Sequence, residues 1–121
     1  MSDYMFDHVH LMSPDPLKTA EFYQKMFGAK LVRSRDMGNG RLLVNLNLDG
    51  VTILISKATD ERQFGLVHFG IRTSNLEEAV SELNAKNVKF TREITAIDPQ
   101  TKISFLQAPE NVSIELQEGS V

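Results

Sequence analysis

Apolar residues recur along this chain in two rhythms, and each rhythm appears twice. Alternation with period two marks strands at Phe6–Met12 and Leu66–Arg72, with Val9, Leu11 and Phe69, Ile71 on one face. Each run ends in a turn carrying Pro, Ser, Asp or Asn, and Asp15 and Asn75 suit the N-cap of a following helix. Helical spacing then follows, at Leu17, Ala20, Tyr23, Met26 and Phe27 and again at Leu76, Ala79, Val80 and Leu83. Glu77 and Glu78 favour the positive end of the second helix. Three more strands close each half, over 30–36, 41–48 and 51–57, and over 88–94, 102–107 and 112–117. Hairpin turns fall at Asp49–Gly50 and Glu110–Asn111.

The halves align on one another. "HVHLMSPDPLKTAEFY" (His8 to Tyr23) lies over "HFGIRTSNLEEAVSEL" (His68 to Leu83) at an offset of 60, matching His8 with His68 and Asp15 with Asn75. "RLLVNLNLDGVTILIS" (Arg41 to Ser56) lies over "KISFLQAPENVSIELQ" (Lys102 to Gln117) at an offset of 61. Two blocks at nearly one offset indicate a duplicated βαβββ unit. The expected architecture is one α+β domain, 1–121, of two modules, 5–57 and 65–118, joined by the polar connector Lys57–Gly65. Together they form a curved mixed eight-strand sheet with the helices on its convex side.

Alternation also sorts the faces. Leu42, Val44, Leu46, Leu48, Ile53, Ile55, Ile114 and Leu116 turn to the helices, and Phe22, Tyr23 and Phe27 have the spacing of core packing. The opposite face receives His8, His10, Met12, His68 and Arg72, with Leu43, Asn45, Asn47, Leu54, Ser56 and Glu115. Polar groups gathered on one face of a small protein need water or a ligand, so this face reads as a cleft.

Composition removes several alternatives. The chain has 121 residues, 41% apolar and 24% charged, and its net charge of −3 comes with scattered Lys and Arg. That pattern argues against nucleic acid or an anionic membrane surface as partner. Without cysteine there is neither a disulfide nor a thiol nucleophile. "MSDYMFDH" has no basic and apolar leader pattern, and no apolar run approaches the ~20 residues of a membrane helix, so a cytoplasmic setting is expected.

The segments "HVHLMSPDPLKTAEFYQKMFG", "HFGIRTSNLEEAVSEL" and "FLQAPENVSIELQE" resemble the vicinal-oxygen-chelate superfamily of glyoxalases, bleomycin-resistance proteins and extradiol dioxygenases. The resemblance implies a metal held from the first and last strands of each half, at His8, Leu54, His68 and Glu115. Leu54 has no donor atom, leaving two histidines and one glutamate, a set that leaves coordination positions open. Fe, Mn, Zn, Ni or Co would suit these ligands. The implied partner is a small molecule that meets the metal through two adjacent oxygens, with the metal as Lewis acid. This ligand set is the one used by extradiol dioxygenases. Two alternatives stand beside it: proton transfer like that of glyoxalase I (lactoylglutathione lyase) or an epimerase, and a metal-free drug-binding resistance protein. The resemblance also implies a homodimer.

Around the metal ligands, Glu115 and His10 are the candidate catalytic groups, His10 because a neutral imidazole titrates near neutrality. Arg72, assisted by Arg33 or Arg35, is a candidate clamp for a carboxylate or phosphate, and Asn45 and Asn47 are candidate substrate contacts. Each has an ordinary structural alternative. Glu115 can answer Lys102 as a surface ion pair, His10 can sit at the cleft rim, Arg72 can be salt-bridged, and the asparagines can line a sheet edge.

Overall fold

The structure, a computed structural model, describes residues 2–119. Strand β1 (Met5–Ser13) runs into helix α1 (Pro16–Phe27), followed by β2 (Lys30–Asp36), β3 (Leu42–Leu48) and β4 (Val51–Lys57). A 3-10 turn at Glu61–Gln63 leads to β5 (Gly65–Arg72), helix α2 (Leu76–Ala85), β6 (Lys89–Asp98), β7 (Thr101–Ala108) and β8 (Val112–Glu118). The eight expected strands and two expected helices are all present. Strand β6 runs on to Asp98, past the expected end at 94, because its register on β7 slips at three places and blurs the alternation.

Local chemistry explains the boundaries. The Asp15 carboxylate accepts the Lys18 amide at 3.2 Å and the Asn75 side chain accepts the Glu78 amide at 3.1 Å, so both expected N-caps form. Helix α1 stops at Gly28, whose φ of 74° lets its amide reach back to the carbonyls of Gln24 and Tyr23. Asp49 and Gly50 both take positive φ, 52° and 84°, as a tight hairpin between β3 and β4 requires.

The chain divides into two compact units. One runs from His8 to Val67; the other joins the N-terminal segment through Asp7 to the chain from His68 onward. Within the first, the strand order is β2-β3-β4-β1, with β1 parallel to β4 and the other pairs antiparallel. Within the second, the order is β5-β8-β7-β6, with β5 parallel to β8. In each unit the parallel pair therefore joins the first and last strands of one βαβββ module.

Each unit has its own core. In the first, Ala20, Val44, Leu46, Ile53 and Ile55 are buried, with Val9, Leu11, Tyr23, Leu42 and Leu48 packed against them. In the second, Leu76, Ala79 and Leu116 are buried, with Ile71, Val80 and Leu83 around them. Four residues of α1 assigned to the core by spacing are not there: Leu17, Phe22, Met26 and Phe27 are 48%, 51%, 64% and 60% exposed. Phe22 stands two residues from Ala20, on the other side of the helix, and Phe27 lies at its last residue. Their rings meet each other at 6.0 Å, and Phe22 meets Tyr23 at 5.4 Å, forming an aromatic cluster on the flank of α1. No helix among the described residues is long and apolar enough to cross a membrane.

The caps are directly testable. Replacing Asp15 by Ala removes the acceptor of the Lys18 amide and is expected to lower unfolding free energy by about 1 kcal/mol with unchanged urea dependence. Urea unfolding followed by circular dichroism reads this. A midpoint equal to that of the wild type contradicts the assigned cap.

Candidate metal centre

The strand registers decide which side chains share a face. In the unit containing β5 and β8, Phe69 pairs with Ile114 and Gly70 with Glu115. Glu115 thus shares the face of Gly70 and of His68, two residues earlier on β5. His68 Nε2 lies 4.0 Å from Glu115 Oε1, and the residues are only 9% and 8% exposed. Phe105, paired with Glu115 on β7, presents its ring nearly perpendicular to that of His68 at 5.2 Å. Both donors therefore sit in a largely dry, partly aromatic wall.

The separation tests the fit of a metal. At 4.0 Å the two atoms are too far apart for a hydrogen bond. Two donors bound to one ion at about 2.0–2.2 Å lie about 3–3.5 Å apart at tetrahedral or cis octahedral angles and at most about 4.3 Å apart. The observed spacing lies at the wide end of that range, and a bound ion would draw the two side chains together. Lys102, the partner expected in the competing surface pairing, reaches Glu77 at 2.6 Å and Glu118 at 3.6 Å. Its hydrogen bond holds the Glu77 carboxyl below the ordinary carboxylate range.

In the unit His8–Val67, β1 and β4 pair His8 with Thr52, His10 with Leu54 and Met12 with Ser56. The His10–Leu54 pair is the counterpart of Gly70–Glu115, so Leu54 stands where the other module carries its carboxylate. Leu54 is buried and offers no donor. His8 is 2% exposed. His10 is half-buried, and its Nε2 shares a 2.7 Å hydrogen bond with Ser56 Oγ. Sequence reasoning missed Ser56 as this partner; its place on the polar face of β4 was the available signal.

The remaining candidates are placed as follows. Asn45 is buried on β3 opposite Leu54. Asn47 accepts the Gly50 amide at 3.1 Å and so closes the β3–β4 hairpin. Arg72 Nη1 lies 3.6 Å from Asp7 Oδ1, and its Nη2 donates to Met5 Sδ at 3.8 Å. A cavity of about 210 Å³ opens in the unit His8–Val67, lined in part by His10, Met12, Arg41, Leu43, Ser56 and Lys57.

A profile of the Glyoxalase/Bleomycin resistance protein/Dioxygenase superfamily matches residues 5–116 of this chain. The chain belongs to that superfamily. Among curated proteins, lactoylglutathione lyase GLX1 of Arabidopsis thaliana is 29% identical over 122 aligned positions, covering 92% of this chain and 43% of that protein. The chain thus spans less than half the length of this relative. Among solved structures, the hypothetical protein BH1468 from Bacillus halodurans C-125 matches with a TM-score of 0.80 at 19% identity, over 98% of this chain and 96% of that one. Methylmalonyl-CoA epimerase from Mycobacterium tuberculosis matches with a TM-score of 0.76 at 22% identity, over 96% and 88%. These two likenesses establish the fold.

Glu115→Leu, which copies Leu54 of the other module, is expected to abolish the rise in melting temperature that added divalent metal gives the wild type. An equal metal-induced rise in both proteins contradicts a ligand role for Glu115.

Proposed function

We propose that this protein is a metal-dependent enzyme that binds a small substrate through two adjacent oxygens, at a divalent ion held by His8, His68 and Glu115. The observation that carries the proposal is the grouping of these three side chains, whose donor atoms lie within 4.8 Å of one another, with His68 and Glu115 buried. His8 supplies the third donor: it is the counterpart of His68 in the duplicated unit and is buried. These three side chains are a donor set that could hold a metal ion. Fe, Mn, Zn, Ni and Co are all compatible with it. The ion would supply Lewis-acid polarisation of the substrate's adjacent oxygens.

The chain's own residues have distinct tasks around such a centre. His68 is held edge-on by Phe105, which orients its ring. Burial of His68 and Glu115 limits the water that competes for the site. His10 stands on the same strand and face as His8, with its Nε2 hydrogen-bonded to Ser56, which supports a role for it in giving or taking a proton from bound substrate. Leu54 leaves the centre with three protein ligands, the set that also serves extradiol dioxygenases.

A second reading is favoured by the likeness to a lactoylglutathione lyase. In that reading Glu115 and His10 move a proton next to a substrate carbonyl and no oxygen is consumed. The sequestering-protein alternative loses support from the three buried donor residues, which such a role does not require.

Metal analysis of purified protein tests the proposal: about one divalent ion per chain is expected, with affinity lowered on the order of 100-fold or more by His68→Ala. A correctly folded wild type that rejects all five metals overturns it. Turnover of a methylglyoxal–thiol hemithioacetal favours the proton-transfer reading, and oxygen uptake with a catechol favours the dioxygenase reading.

A further inference from the structure

A local irregularity in β2 decides what its side chains face. Leu31 pairs with Leu46, on the helix side, whereas Arg33 pairs with Asn45 and Arg35 with Leu43, both on the polar side. Without the bulge between Leu31 and Arg33, these three odd-numbered residues would share one face. The extra residue reverses the alternation and delivers two arginines to the face that carries His10. Arg35 continues a row across the sheet through Leu43, Ser56 and Met12, all three of which line the cavity of about 210 Å³.

The Arg35 guanidinium is placed at a cost. Its Nε and Nη2 are shut off from solvent and donate no hydrogen bond within the protein. A guanidinium does not shed its proton, so it stays charged there. Burial and then the neighbouring charge of Arg33 push its pKa down, which is opposite to the effect of a carboxylate partner. The two unpaired nitrogens also have a geometric meaning. Nε and Nη2 lie along one edge of the guanidinium and donate in parallel, the arrangement that grips two oxygens of one anion. The protein contains its own example: Arg62 holds Asp60 with that edge, Nε at 3.0 Å and 3.1 Å from the two oxygens and Nη2 at 2.6 Å.

We propose that Arg35 is a specificity residue that grips a carboxylate or phosphate group of the substrate through its Nε–Nη2 edge, selecting an anionic substrate. The substrate assignment rests on the reading of the polar face as the substrate face; the anion site itself needs no metal. Arg41 and Lys57, on the cavity wall, add positive charge to the same region. The unpaired buried donors thus have the function of a waiting half of an ion pair.

The test uses chelator-treated full-length protein with malonate or inorganic phosphate as probe, at matched ionic strength, read by thermal shift and calorimetry. The wild type should bind and be stabilised, Arg35→Met should show no response, and Arg35→Lys, which keeps the charge but loses the paired edge, should bind about tenfold or more weakly. Without anion, Arg35→Met should melt at or above the wild type, since a partly buried, unpaired charge is removed. An equal anion response in wild type and Arg35→Met overturns the proposal, as does a wild type that binds neither probe. A lower melting point of Arg35→Met without anion also overturns it, by making the guanidinium structural. Metal content measured on untreated samples keeps the two readings apart: loss of anion binding with metal retained concerns Arg35 alone.

Discussion

Parallel pairing of the first strand of each module with its last joins segments separated in sequence by a helix and two further strands. The register of that pairing determines the identity of every polar side chain on the ligand face. A slip of one residue would exchange faces, placing Glu115 beneath α2 and Leu116 on the polar side. The cores prevent this. Ile53 and Ile55 on β4 pair with Val9 and Leu11 on β1, and Leu116 on β8 pairs with Ile71 on β5, all packed against the helix of the same unit. Burial of these apolar side chains holds the polar ones in place on the reverse side.

That reverse side is expensive for a protein of this size. His8, Asn45, His68, Glu115 and Gln117 are all buried, and burying polar or charged groups opposes folding unless they are paired. Arg35 carries such a cost, with two nitrogens that are closed to solvent and donate no hydrogen bond. A donor left in this way contributes poorly to stability and well to binding an acceptor that completes it.

Much of this was legible in the sequence because duplication and alternation act together. His8 and His68 fall on each other at one offset, and strand parity then assigns their face; Asp15 and Asn75 are caps because of side-chain chemistry alone. What escaped was set by tertiary detail. The β2 bulge reverses side-chain parity at Arg33 and Arg35, and no local pattern announces it. Asn47 serves the hairpin, a choice set by turn geometry, and the salt-bridged alternative for Arg72 is met by Asp7, a partner distant in sequence. Phe22 and Phe27 suit a buried stripe by composition, yet helix direction and helix end leave them exposed.

The central claim is that the duplicated strands deliver two histidines and one glutamate to a single ion. X-ray absorption spectroscopy of the cobalt-loaded protein tests it most directly, because imidazole scattering counts the histidine ligands. The account predicts two imidazoles in the wild type and one in His68→Ala. A wild-type spectrum with oxygen ligands alone would contradict it.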